Sequence, residues 1–155
     1  MHELGLAEGI LAGVTAAADG RPVVRARVRI GALQRVVADS LQFGFELLAA
    51  GTAAEGARLE VLTVPPTVLC RRCGSTTEAE PHLLLCAACG DRDVRPVSGE
   101  EVLLDEVELG GVEPVILRRS EPVSEPPHEH PHALGGDQGL VEHEHEHQPM
   151  SPGRS

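Results

Sequence analysis

The sequence predicts an α+β fold: a small mixed three-stranded sheet carrying two helices, an inserted cysteine-rich knuckle, and a disordered His-rich C-terminal tail. Three observations carry that expectation. Apolar residues recur near helical spacing over residues 2–18 and again from about residue 39 to Gly51. Strand patterns occupy residues 24–30, 57–64 and 102–109. The four cysteines form two Cys-x-x-Cys pairs, Cys70 with Cys73 and Cys86 with Cys89, between the second and third strands. The order is therefore helix, strand, helix, strand, knuckle, strand. At 155 residues the chain has room for one modest domain with a small insertion.

In the first helix, Leu4, Leu11, Val14 and Ala18 mark an apolar stripe with Ala7 and Ile10 beside it. Gly5, Gly9 and Gly13 weaken its intrinsic propensity, so tertiary packing must hold it, and Asp19-Gly20 with Pro22 ends it. In the first strand Val24, Ala26, Val28 and Ile30 alternate with Arg25, Arg27 and Arg29, which predicts one buried face and one guanidinium ladder, closed by Gly31. Asp39 or Ser40 is expected to open the second helix, with Gln42 as capping-box partner of Asp39. Leu41, Phe45 and Leu48 are its expected buried stripe and Gly51 its stop. Residues 57–64 form the second strand, closed by Pro65-Pro66, and Val102–Leu109 alternates with acids as the last.

Between these strands the cysteines read C-x2-C-x12-C-x2-C. Each pair can clamp a metal ion from a tight turn, and a hairpin then closes a tetrahedral four-thiolate site, for which zinc is the usual ion. Spacing alone also allows two disulfides, but nothing at the N-terminus points to export. A thioredoxin-like redox motif would need one such pair beside a βαβ pattern. The knuckle is thus expected to resemble a zinc ribbon, with Cys70, Cys73, Cys86 and Cys89 as ligands. His82, between the pairs, reads as a loop residue.

Composition limits the partners. Two Phe and no Trp or Tyr leave an aliphatic core, for which a metal staple is useful. Structural zinc contributes about 10–16 kcal/mol of apparent binding energy that is also folding energy. The net charge is −11, with 13 Arg and no Lys, and four thiolates around one divalent ion add two more negative units. That argues against a nucleic-acid binder, which needs a basic stripe and stacking aromatics. No apolar run approaches the ~20 residues of a membrane helix, and no positive n-region precedes the first apolar stretch. A soluble cytoplasmic protein that touches neither nucleic acid nor membrane is the expectation. After Gly110 the chain turns Pro-, His- and Glu-rich, and residues 110–155 are expected to be disordered.

The start of the chain is the second metal candidate. In Met1-His2-Glu3 a free α-amine, the His2 amide nitrogen and its imidazole can close adjacent chelate rings around one ion. Nitrogen-rich planar sets suit Ni(II) or Cu(II). On spacing alone, His2 in a frayed first turn is the simpler account.

The chain resembles the HypA/HybF family of hydrogenase nickel-incorporation proteins. The matching residues are the opening Met-His-Glu with its Gly/Ala-rich helix, the strand ending Ile30-Gly31-Ala32-Leu33, the segment Asp39-Ser40-Leu41-Gln42-Phe43-Gly44-Phe45, and the two cysteine pairs. The match covers about residues 1–109. It implies a nickel metallochaperone rather than an enzyme, delivering Ni(II) as cargo in [NiFe]-hydrogenase maturation, with structural Zn(II) at the four cysteines. It implies His2 as the essential nickel ligand, with Met1, Glu3 and their backbone nitrogens completing a planar set. A GTPase of the nickel-insertion pathway and the hydrogenase large subunit are the implied partners. Some relatives bring an acid to nickel at the position of Asp39, which here serves equally well as a helix cap. Gly74 and Gly90 stand where several relatives carry His beside the cysteine pairs.

These readings divide the chain into a nickel-binding α/β domain (1–66 and 97–109), a zinc-binding domain (67–96) and the tail (110–155). Within the tail, His128, His130 and His132, and again His143, His145 and His147, sit at alternate positions and would bind nickel weakly through neutral imidazoles. A nickel-buffering arm feeding His2 is the functional reading; a solvated acidic tail is the simpler one. The rival for the whole chain is a zinc-ribbon module that binds nucleic acid or a protein complex. In that reading Arg25, Arg27 and Arg29 would be its one basic feature; a solvated sheet face, or a docking patch for an acidic partner, accounts for them better.

Overall fold

The computed structural model describes residues 2–126. Helix α1 (His2–Ala18) and helix α2 (Ala38–Ala49) lie on one face of a four-stranded sheet. Its strands are β1 (Val23–Gly31), β2 (Arg58–Val64), β6 (Val102–Leu109) and β7 (Val115–Pro122), in the order β2-β1-β6-β7. Strands β1 and β2 are parallel, so the chain must cross over between them, and α2 makes that crossing. Strand β6 runs antiparallel to β1, and β7 antiparallel to β6. A second sheet, built from β3 (Thr67–Cys70), β4 (Thr76–Glu78) and β5 (Val94–Pro96) in the order β4-β3-β5, forms the knuckle.

The α+β class, the two helices and the inserted knuckle are as the sequence predicts. The sheet gains a fourth strand. Residues 115–122, expected to lie in the tail, pair with β6 from Leu103↔Pro122 to Leu109↔Val115. An edge strand needs backbone partners more than a deep apolar face. Accordingly, β7 buries no residue fully and Leu117 is only partly covered by the core.

The core lies between the helices and the inner face of the sheet. Leu6, Ile10 and Val14 of α1 meet Leu41 and Phe45 of α2 over Ala26, Val28, Ile30, Leu59, Leu104 and Val107. Two side chains depart from the expected faces. Leu4 is 42% exposed while Leu6 is buried, so the α1 stripe is rotated. Val24 is half exposed and Val23 buried, because a bulge between Val23 and Arg25 shifts the alternation against β6. Helix α2 starts earlier than expected, with Val37 at its N-cap and no side-chain cap. Asp39 is an exposed first-turn residue, which suits the positive helix end, and Gln42 donates instead to the Leu59 carbonyl at 2.9 Å. None of the described helices is long and apolar enough to cross a membrane.

Candidate metal sites

Two matching turns build the cysteine site. In the first, Cys70 N–H donates to the Ser75 carbonyl (2.9 Å) and Gly74 N–H to the Cys70 carbonyl (3.0 Å). In the second, Cys86 N–H donates to the Asp91 carbonyl (2.9 Å) and Gly90 N–H to the Cys86 carbonyl (2.8 Å). Gly74 and Gly90 take φ of 74° and 76°, left-handed values that a β-carbon would strain. This is why glycine follows each pair: the turn needs it, and a histidine there would have to pay for its conformation.

The turns bring all four sulfurs within 4.8 Å of one another, the only group of three or more metal-ligating side chains among the described residues. Cys70 and Cys89 Sγ are 3.7 Å apart and Cys73 and Cys86 Sγ 3.6 Å. A disulfide needs about 2.05 Å, whereas a tetrahedron with Zn–S bonds of about 2.3 Å has edges near 3.8 Å. The spacing therefore fits zinc, and the cysteines are unpaired thiols. Electrostatics agree. Hydrogen bonds from the Ser75 side chain and backbone bring the Cys73 thiol down to about 6. Cys89 is lowered by the Asp91 amide, yet local desolvation of its sulfur and the three neighbouring sulfurs push it up to about 12. Four thiolates cannot share this volume unaided, and a divalent cation removes that conflict. Cys70 and Cys86 are buried while Cys73 and Cys89 face solvent. His82 is exposed and outside the cluster.

The other site lies at the start of α1. His2 has an accessible side chain, 48% exposed, and each ring nitrogen meets an oxygen. Nε2 is 3.3 Å from Gln34 Oε1, and Nδ1 is 3.1 Å from Glu125 Oε1. Gln34 in turn donates through Nε2 to the Glu100 carbonyl, on the return from the knuckle. The Glu3 carboxylate accepts from Val37 N–H at 3.4 Å. It is held below the usual carboxylate range by its own backbone N–H and that of Val37. The side chain of Glu3 thus ties α1 to the start of α2. Met1 and the six tail histidines, His128 to His147, lie outside the described residues. Sequence reasoning had no signal for Gln34 or Glu125, whose proximity to His2 is purely tertiary.

The arginine ladder proves to be internally neutralised. Arg25 reaches Glu60 (2.9 Å), Glu106 (2.8 Å) and Glu108 (3.0 Å), and Arg29 reaches Asp105 at 2.8 Å. Arg27 reaches Glu60 at 3.1 Å. The acids come from β2 and β6, on either side of β1. The hydrogen bond from Arg25 is the main reason Glu60 sits below the usual carboxylate range. These guanidinium groups are spent within the sheet, which removes the basic feature that a nucleic-acid reading would use and weakens a docking patch for an acidic partner.

Comparisons with known proteins identify the family. Residues 1–109 match the family model described as hydrogenase/urease nickel incorporation, metallochaperone, HypA. The hydrogenase maturation factor HypA of a Nostoc species is 37% identical over 109 residues, covering 70% of this chain and 96% of that protein. The hydrogenase maturation factor HypA 2 of Bradyrhizobium diazoefficiens is 38% identical over 112 residues, covering 70% and 99%. The solution structure of the Ni metallochaperone HypA from Helicobacter pylori shares the fold, with a TM-score of 0.53 at 18% identity over 70% of this chain and 97% of that one. The family match stops at Leu109, the last residue of β6, so β7 and the segment after it lie beyond it.

Proposed function

The chain belongs to the HypA family of hydrogenase/urease nickel-incorporation metallochaperones, and on that premise we propose that it captures Ni(II) at Met1-His2-Glu3 and hands it to a maturing [NiFe]-hydrogenase. The His2 imidazole, the Met1 amine and the backbone nitrogens of His2 and Glu3 are the ligand set. Zinc is held by Cys70, Cys73, Cys86 and Cys89 as a structural ion.

The observation that carries this reading is the contrast between the two sites. The four sulfurs form a closed set, which leaves no open position for water or substrate and so neither catalyses nor releases. His2 is an exposed imidazole at a helix start, with space for an acceptor protein to approach. Delivery is ligand exchange, which needs an accessible, moderately tight site. The chain then works without catalysing a reaction, in the cytoplasm, with a GTPase of the nickel-insertion pathway and the hydrogenase large subunit as partners.

The tail histidines extend the reading. Glu125, which touches His2, lies three residues before His128 in sequence. We assign His128, His130, His132, His143, His145 and His147 to a weak nickel-buffering arm that supplies His2.

His2→Ala tests the capture site. It should abolish the planar nickel species while zinc content and far-UV circular dichroism stay unchanged. Full hydrogenase maturation by that variant without added nickel would overturn the reading.

A further inference from the structure

Strand β7 does more than extend the sheet. After Pro122 the chain stays docked: Val123 N–H donates to the Val102 carbonyl at 2.8 Å, and its side chain packs against the core. It then runs beside α1, where a β-carbon on Gly9 would meet the Ser124 carbonyl oxygen at 2.5 Å and Val123 Cγ1 at 3.1 Å. The absence of a side chain at Gly9 is what allows this approach. Gly9, Gly13, Leu104, Val123 and Ser124 line a groove of about 220 Å³ along the contact. The path ends with Glu125 Oε1 at 3.1 Å from His2 Nδ1.

That nitrogen is the one nickel needs. The ring that runs from the His2 backbone nitrogen through Cα, Cβ and Cγ closes on a metal through Nδ1 as a six-membered chelate. Nε2 points away and cannot close with the same backbone nitrogen. A carboxylate on Nδ1 and a nickel ion on Nδ1 therefore exclude each other. We propose that residues 115–125 form an intramolecular strap whose end competes with nickel, with Glu125 occupying His2 Nδ1, so that nickel uptake must displace the strap's end. This rests on the capture reading above. The family match ends at Leu109, so the strap is a feature of this chain added to the shared domain. Because the β-pairing over 115–122 is separate from the contacts of Val123, Ser124 and Glu125, the strap's end can release while β7 remains in the sheet.

The test uses the full-length, zinc-loaded chain titrated with nickel sulfate, following the visible absorption of planar, amide-ligated Ni(II), which tail imidazoles do not give. Glu125→Ala removes the competing carboxylate. Gly9→Ala leaves Glu125 intact, favours the helix, and pushes the strap away from α1. Both should raise the apparent affinity of the planar species and its rate of formation; removing one exposed contact is worth roughly two- to fivefold. A planar species that forms in the unaltered chain, disappears in His2→Ala, and is unchanged or weakened in Glu125→Ala and Gly9→Ala overturns the strap alone. A planar species that never forms, or that persists in His2→Ala, overturns the capture reading and the strap's role with it.

Discussion

Phe43 and Phe45, the chain's two aromatic residues, stand two positions apart on α2 and so point in different directions. Phe45 is fully buried beside Leu41 and Leu6, whereas Phe43 is 62% exposed. Phe45→Ala should cost roughly 3–5 kcal/mol, because it leaves a cavity in a small aliphatic core. Phe43→Ala should stay within about 0.5 kcal/mol, and urea unfolding of both variants checks the contrast. An equal cost would mean that the outer face of α2 is covered. The sequence assigned Phe45 to the core from its spacing to Leu41. It missed Leu6 in favour of Leu4, because glycines at 5, 9 and 13 blur the apolar stripe that fixes a helix's rotation. Asp39 shows the same limit: as a favoured capping residue it was placed one position outside the helix, whereas the chain enters α2 through Val37, whose N–H is taken by Glu3 from another helix.

At the scale of the element, the knuckle and the α/β layer keep separate interiors. The main core contains no residue from 67–96, while Val68, Cys70 and Cys86 are buried within the knuckle itself. Cys86→Ala, which removes a buried ligand, should abolish zinc binding and melt β3, β4 and β5. The helical circular dichroism should survive, because α1 and α2 pack on β1, β2 and β6. Metal analysis with far-UV spectra checks this, and loss of the helices together with the zinc would show that the two sheets fold as one unit. Cysteine spacing made the four-thiolate set of this element legible, since ligand geometry is local to each turn, but not its three-stranded sheet. The neutralised ladder was legible only by half: the sequence gives Arg25, Arg27 and Arg29 one face, but strand order decides that Glu60, Glu106 and Asp105 stand opposite.

For the whole molecule, the composition change at Gly110 suggested that structure ends there, yet the sheet continues to Pro122 and the strap to Glu125. A cut meant to remove only the histidines therefore belongs after residue 126. That truncation should lower total nickel stoichiometry while keeping the planar species at His2, as isothermal titration combined with absorption would read. Unchanged stoichiometry would refute the buffering arm. The sequence by itself determined the two-helix α+β layer and the four-thiolate set, because periodicity and ligand spacing are short-range properties of the chain. Only the tertiary structure decided that β7 closes the sheet, that the arginines are paired and that Glu125 meets His2. Those contacts join residues 6 to 123 positions apart, through backbone pairing and side-chain reach that composition does not encode.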